Sequence, residues 1–257
     1  MLEIRRSKII DKITDERMVK VTDLMKDFRV SMETIRRDLH YLEERGYLKR
    51  VYGGAVVHGL YGEEPSYERR EIINFDEKRA IGVKASELVN DGDTVIIDVG
   101  TTCLEVAKGL LRKKNLTVIT NAMPIALEMM SHGNCRVIVL GGELRSGELA
   151  TSGSMAAEQL QFFYANKLML GVGGISPEHG VTDYHLEESK TRRIMIDRAD
   201  EVIAVADYSK FGVTAMNCCC PIGRISTLVT DWSTPAQALV PHRAAGIEVI
   251  SAPRISS

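Results

Sequence analysis

Residues 30–39 read Val30-Ser31-Met32-Glu33-Thr34-Ile35-Arg36-Arg37-Asp38-Leu39, and the chain runs on through Leu42-Glu43 to Arg50-Val51-Tyr52-Gly53-Gly54-Ala55. Met32, Ile35, Leu39 and Leu42 recur at intervals of three and four, which predicts one apolar stripe on a helix of about four turns. Ser31 stands where an N-cap belongs, its hydroxyl able to accept a first-turn N–H, and Gly46 stands where such a helix stops. The opposite face carries Thr34, Arg36, Arg37 and His40. Hydroxyl and basic groups on that face suit base edges and phosphates in a major groove.

Upstream, Ile9, Ile10 and Ile13, then Leu24, Met25 and Phe28, recur at helical spacing and predict two shorter helices, with Val30 closing the second group. Downstream, Tyr47 to Val51 and Ala55 to Val57 read as two short strands around Tyr52-Gly53-Gly54. Three helices followed by a hairpin make a winged helix. The bland alternative is a small domain whose arginines are a solvated face, because Asp38, Glu43 and Glu44 follow closely.

The whole chain has 257 residues, with 33 Lys and Arg against 35 Asp and Glu, a net charge of -2. That balance excludes a wholly basic nucleic-acid coat and an acidic disordered tail. Apolar residues make up 44%, enough for a sizeable core in one large domain or two modest ones. No apolar run reaches the ~18 residues of a membrane span, and the charges in Met1 to Lys8 do not suit a secretory leader. A cytoplasmic protein is expected. Cys218, Cys219 and Cys220 are consecutive, which fits neither a disulfide framework nor a spaced zinc site, and reads as small apolar residues in a reducing compartment.

Charge divides the chain. Residues 1–58 hold 13 Lys and Arg against 10 Asp and Glu, a net of +3, which leaves -5 for the remainder. A Gly- and Pro-punctuated stretch, 59–75, is expected to link a DNA-binding domain (1–58) to a second domain (76–257). There, β-rich runs alternate with helical stretches, the pattern of a parallel sheet packed with helices, an α/β fold. Strands are predicted at Thr94–Asp98, Leu116–Thr120, Arg136–Leu140, Lys167–Leu170, Val202–Ala206, Thr227–Thr230 and Ile247–Ile250, and helices at Leu104–Arg112, Pro124–Met130 and Ser189–Ala199. Ligands in such sheets bind beyond the carboxyl ends of the strands.

Those ends are polar and glycine-rich. Gly100-Thr101-Thr102 passes from a strand into a helix N-terminus, where N–H groups and hydroxyls can hold a phosphate. Gly141 and Gly142 permit close backbone approach, Lys210 offers a countercharge, and Asp98 and Asn121 offer the acceptor and donor that sugar hydroxyls need.

The string from Val30 to Leu39 with Arg50 to Ala55 resembles the N-terminal domain of the DeoR family of bacterial transcription regulators. The resemblance continues through Asp91-Gly92-Asp93-Thr94, Asp98-x-Gly100-Thr101-Thr102, Val118-Ile119-Thr120-Asn121, Leu140-Gly141-Gly142 and Ala206-Asp207-x-Ser209-Lys210-Phe211-Gly212, in order, from about Arg5 to Asp231. It implies a helix-turn-helix at about residues 20–39, with Ser31, Thr34, Arg36 and Arg37 facing DNA and Arg50 and Tyr52 added by the wing. It also implies a Rossmann-like sensor domain, related in fold to ribose-5-phosphate isomerase and the CoA transferases, that binds a phosphorylated sugar or polyol. Asp98, Gly100, Thr101, Thr102, Asn121, Gly141, Gly142 and Lys210 carry over as effector contacts, with Glu188 and Arg192 as secondary candidates.

The chain departs from the family pattern at Lys20, where a Ser or Thr cap is common and Thr22 is the substitute, at Cys103, and at Thr151-Ser152-Gly153-Ser154. The residues call for no cofactor and no metal: His179 and His185 lie near Asp183 and Glu187 without ligand spacing. The resulting expectation is a repressor of a sugar or polyol operon, with operator DNA, a phosphorylated effector and further copies of itself as partners. A helix-turn-helix reads two-fold related half-sites, so one such domain per chain implies a dimer or tetramer. The rival reading is a sugar-phosphate isomerase or hydrolase with Asp98 or Asp207 as base and Lys210 as electrostatic stabiliser.

Overall fold

The computed structural model describes the chain except for residues 1, 17, 45–47, 58–63, 132–134, 146 and 256–257. Gly46 as the end of the third helix, Tyr47 as the start of a strand, and the beginning of the expected linker lie outside the described residues. The chain divides into two compact units, Met1–Arg69 and Arg70–Ser257.

In the first unit, α1 (Leu2–Glu16), β1 (Met18–Lys20), α2 (Val21–Phe28), α3 (Met32–Glu44), β2 (Leu48–Val51) and β3 (Gly54–Val57) follow in order. Ile9 and Ile13 of α1, Leu24 of α2, Ile35, Leu39 and Leu42 of α3, and Leu48 of β2 are all buried in one core. Three residues of the apolar stripe read from the sequence make this core, and the fourth, Met32, is exposed at the start of α3. The wing has three strands, order β1-β3-β2, all antiparallel, and β1 was not expected. A three-residue strand is too short to show a period of two. Gly54 is required where β3 crosses β1, since a Cβ there would lie 2.1 Å from the Val19 carbonyl oxygen.

That third strand also corrects the expectation for α2. Lys20 is its N-cap and offers no side-chain bond. Thr22 is no substitute, because its hydroxyl is directed at Asp23, 3.5 Å away. The N–H of Val21 instead donates to the Gly53 carbonyl at 2.9 Å, so the wing turn satisfies a helix-start donor.

The second unit continues with α4 (Tyr67–Ile72, straddling the boundary), α5 (Phe75–Ser86), β4 (Thr94–Ile97), α6 (Thr101–Leu110), β5 (Leu116–Thr120), α7 (Met123–Met130), β6 (Cys135–Val139), β7 (Glu143–Arg145), β8 (Ala150–Ser152) and α8 (Ser154–Leu160). It ends with β9 (Ala165–Gly171), β10 (Gly174–Ser176), β11 (Gly180–Asp183), α9 (Leu186–Asp197), β12 (Ala199–Val205), β13 (Asn217–Cys220), β14 (Thr227–Asp231), α10 (Ala236–Ala244) and β15 (Glu248–Ala252). Helix α4 falls inside the stretch expected to be linker.

Seven strands form one sheet in the order β15-β14-β12-β9-β4-β5-β6, every pair parallel. These are the seven strands expected, with Leu116–Thr120 unchanged and no end of the others displaced by more than three residues. Ile97, Val118 and Met169 pack with α5, α6 and α7 on one face, while Ile96, Ile119 and Leu168 pack with α8 and α9 on the other. The result is the three-layer α/β/α arrangement in which parallel strands are covered on both sides.

From β4 the chain winds one way through β5 and β6, and from β9 the other way through β12, β14 and β15. The reversal lies between neighbours β4 and β9, and ligands in open α/β sheets bind at the carboxyl ends of strands at such a switch point. The loops that follow β4 and β9 begin at Asp98 and Val172.

Candidate DNA and effector sites

On α3 the cap is built as the sequence predicts. The Thr34 N–H donates to Ser31 Oγ at 3.3 Å, and the two hydroxyls lie 2.9 Å apart. Ser31, Arg36 and Arg37 are exposed and Thr34 is half-buried, so these four share the outer surface of the helix. A cleft of about 500 Å³ separates α3 from the wing, lined by Met32, Arg36 and Leu39 on one side and Arg50, Tyr52 and Gly53 on the other. Tyr52 stands fully exposed at the wing tip.

Arg50 has a second task. Its Nε donates to Glu43 Oε2 at 2.6 Å and its backbone N–H to Glu43 Oε1 at 2.8 Å, bracing the wing on α3. The Glu43 carboxyl is held below its ordinary range, the Arg50 N–H outweighing burial. Asp38, which the bland alternative placed beside a solvated face, is buried: Arg5 Nε and Arg6 Nε of α1 donate to its two oxygens at 2.6 and 2.8 Å. Arg6 also lies over the Tyr41 ring at 3.6 Å. Asp38→Asn should therefore loosen the helix bundle by about 3 kcal/mol, because two largely buried arginines lose their counter-charge. Hydrogen exchange of the α3 amides in the full chain measures this, and unchanged exchange would remove the bracing role.

In the second unit, Gly100 caps α6 with φ 143°, and the Leu104 N–H donates to its carbonyl at 3.0 Å. Thr101 Oγ1 donates to the Arg70 carbonyl at 3.3 Å, and Thr102 is half-exposed beside it. Asn121 is buried: its Nδ2 donates to the Thr151 carbonyl at 2.8 Å, while its Oδ1 has no hydrogen-bond partner among the described residues.

Asp98, Gly141 and Gly142 have structural assignments. Asp98 accepts from the Val99 N–H (2.8 Å), the Gly171 N–H (3.1 Å) and Arg192 Nε (2.6 Å), which ties β4 to β9. Burial pushes its carboxyl up to about 6 against the pull of Arg192, which leaves it ionised at neutral pH. Arg192 pairs also with Asp183 and Glu188, and Glu188 with Arg145. The Gly141 N–H donates to Gln159 Oε1 at 2.8 Å, and a Cβ on Gly142 would sit 2.7 Å from the Ser152 carbonyl oxygen, where the β7–β8 hairpin begins.

Lys78, Lys210 and Arg70 lie within electrostatic reach of one another, and the Arg70 carbonyl that Lys78 holds also accepts from Thr101 at the start of α6. Lys78 of α5, buried, donates to the carbonyls of Arg70 and Ile73. Burial lowers its ammonium to about 8; Asp207 opposes the shift, and Lys210 and Arg70 add to it. Lys210, half-exposed on the turn Tyr208–Lys210, and Lys78 together hold the buried Asp207 carboxyl below its ordinary range despite desolvation. Arg70 pairs with Glu148 of the hairpin loop. The junction of α4 and α5 closes the group: Asn74 Nδ2 donates to Asp207 at 3.0 Å, and Tyr208 Oη to Asn74 Oδ1 at 3.2 Å.

Lys78, Arg70 and Asn74 were not among the sequence candidates. The signal for Lys78 was its register, because Lys78, Ile81, Gly82 and Ala85 lie on the buried stripe of α5. A lysine on such a stripe is placed for a buried counter-charge rather than for water.

A winged helix-turn-helix joined in one chain to a parallel-sheet unit with cations at its switch point defines a ligand-responsive DNA-binding regulator. The chain belongs to the DeoR family: residues 5–59 match the DeoR-like helix-turn-helix domain and residues 73–232 the DeoR C-terminal sensor domain. It is a transcription regulator and not an enzyme. It is 32% identical to the glycerol-3-phosphate regulon repressor of Escherichia coli strain K12, over 91% of this chain and 93% of that one. It is 36% identical to the transcriptional repressor GlcR of Bacillus subtilis, over 84% and 88%. Among solved structures, ribose-5-phosphate isomerase A from Methanocaldococcus jannaschii superposes at TM-score 0.40 and 14% identity, covering 53% of this chain and 54% of that one. The eIF2B beta chain from Chaetomium thermophilum does so at 0.45 and 15%, covering 92% and 71%. No helix among the described residues is long and apolar enough to cross a membrane.

Proposed function

We propose that the protein represses a sugar or polyol operon in the cytoplasm, as a homo-oligomer whose grip on operator DNA is loosened by a phosphorylated sugar or polyol. The observation that carries the effector class is the mutual electrostatic reach of Lys78, Lys210 and Arg70, with the Arg70 carbonyl accepting from Thr101 at the start of α6. Backbone N–H groups, the Thr101 and Thr102 hydroxyls and these cations together favour a phosphate dianion. Asn121 Oδ1 supplies an acceptor for a sugar hydroxyl, while Asp98, Arg192, Gly141 and Gly142 hold the loops in position. Phosphate drawing on Thr101 and Lys78 competes with the Arg70 and Ile73 carbonyls, and this segment follows directly on the winged-helix unit in the chain. A coupling of about 1–3 kcal/mol between the two ligands suffices for control.

On DNA, Ser31, Thr34, Arg36 and Arg37 face the major groove and Tyr52 the flanking backbone. Arg37→Ala is expected to weaken binding about 10- to 100-fold, the range of one bidentate base contact or buried phosphate contact. Gel shifts on genomic fragments selected by the wild-type protein measure this. Arg37 is exposed, so circular dichroism and effector-induced stabilisation should be unchanged; equal DNA affinity would remove Arg37 from the contact surface. For the sensor, thermal stabilisation by sugar and polyol phosphates, each beside its unphosphorylated parent, tests the anion requirement. Stabilisation by a parent as strong as by its phosphate would refute it.

A further inference from the structure

The exposed side of α7 is apolar. Its sequence, Met-Pro-Ile-Ala-Leu-Glu-Met-Met, contains a single charged residue. Ile125, Ala126 and Met129 are buried in the core, and the outward positions Met123, Leu127 and Met130 are apolar as well, the last two 63% exposed. A helix apolar all round is a buried helix. The stripe is extended by Leu149, 48% exposed, whose carbonyl accepts the Met123 N–H at 2.8 Å.

Next to α7 lies β6, one end of the seven-stranded sheet, with β5 as its only strand neighbour among the described residues. Its sequence, Cys-Arg-Val-Ile-Val, has high β-propensity, one charge and no proline. Natural edge strands are guarded by charge, bulges or a covering element; nothing in the β6 sequence beyond Arg136 does this. Val139, 40% exposed, alternates to the same sheet face as Cys135 and Val137, which pack beside α7. Helix stripe and open edge are thus contiguous, and both call for cover.

We infer that this surface, α7 with the β6 edge, is where a second copy of the chain docks across a two-fold axis. The inference rests on the homo-oligomer reading given above. Three observations select a second copy as the occupant. Each chain carries one winged helix, and helix-turn-helix proteins occupy two half-sites. A two-fold contact sets a patch against itself, which penalises like charges, and here α7 and β6 offer, among the described residues, the half-buried Glu128 and the exposed Arg136. Homodimer interfaces are also more apolar than transient ones and enriched in methionine.

Light scattering on the full chain tests this. The wild type is expected to be a dimer or larger at micromolar concentration, and Leu127→Glu to raise the dissociation constant at least 100-fold while circular dichroism and phosphate-induced stabilisation persist. A monomeric wild type would end the homo-oligomer reading and this assignment together. A wild-type oligomer that Leu127→Glu leaves intact would end the surface assignment alone. Should the variant not fold, hydrogen exchange of the wild type decides: the outward amides of β6 are expected to exchange slowly and to speed up on dilution. Fast exchange at every concentration would overturn the proposal.

Discussion

Arg192→Met is expected to lower the melting temperature of the sensor unit by roughly 6–20 °C. Arg192 is buried and is the common partner of Asp98, Asp183 and Glu188. Burial alone would lower its guanidinium pKa, but these three carboxylates hold it above its ordinary value. Removing one member of a buried ion pair costs about 3–5 kcal/mol, and a unit of this size loses about 2–4 °C per kcal/mol. Arg145 still reaches Glu188, so Asp98 and Asp183 are the groups left uncompensated. Without Arg192 the Asp98 carboxyl rises above about 6, further from its unfolded value near 4. A carboxyl raised in the folded state makes the fold less stable as pH climbs past the unfolded pKa. The variant should therefore regain stability on acidification from pH 7 to 5, a larger gain than the wild type shows. Thermal melts of both proteins at the two pH values measure it, and a variant that melts like the wild type at pH 7 would remove the network from the framework of the fold.

The elements that repeat were legible in the sequence, and those that depend on distant partners were not. The α3 stripe is written in four residues, and the sheet strands in consecutive branched residues, because parallel strands are buried on both faces. The β7–β8 hairpin and the antiparallel sheet β10-β11-β13 were not read. Their strands have three or four residues, and β13 pairs with β11 across more than thirty positions of chain, which no local period records. Gly141-Gly142 suggested close backbone approach, and at Gly142 the backbone that comes close is that of the hairpin. Asp98 and Asp38 each look like free acceptors until arginines 94 and about thirty residues away are folded onto them.

Lys78→Met should weaken the phosphate effector about 10- to 100-fold, the range of one or two charge-assisted hydrogen bonds. Its pH behaviour separates this role from a structural one. Lys78 titrates near 8 in the folded protein because burial disfavours its charge, against 10.5 for an unhindered lysine. Its folded pKa is lowered, so the buried ammonium costs the free protein about 3 kcal/mol below pH 8, and that cost fades as pH rises from 8 to 10.5. A phosphate monoester is already a dianion above pH ~6 and stabilises the charged lysine. Binding therefore weakens about tenfold between pH 7 and 9 in the wild type, over the interval in which the free fold begins to gain stability from this group. Lys78→Met should bind weakly and with little pH dependence across that interval. Calorimetric titration with the phosphate ester that stabilises the wild type reads both quantities, and proton uptake at pH 8 to 9, seen as an enthalpy that varies with the buffer, reports the lysine directly. A Lys78→Met variant that kept the wild-type pH slope would assign the proton to another group and leave Lys78 as a clasp on the Arg70 and Ile73 carbonyls alone.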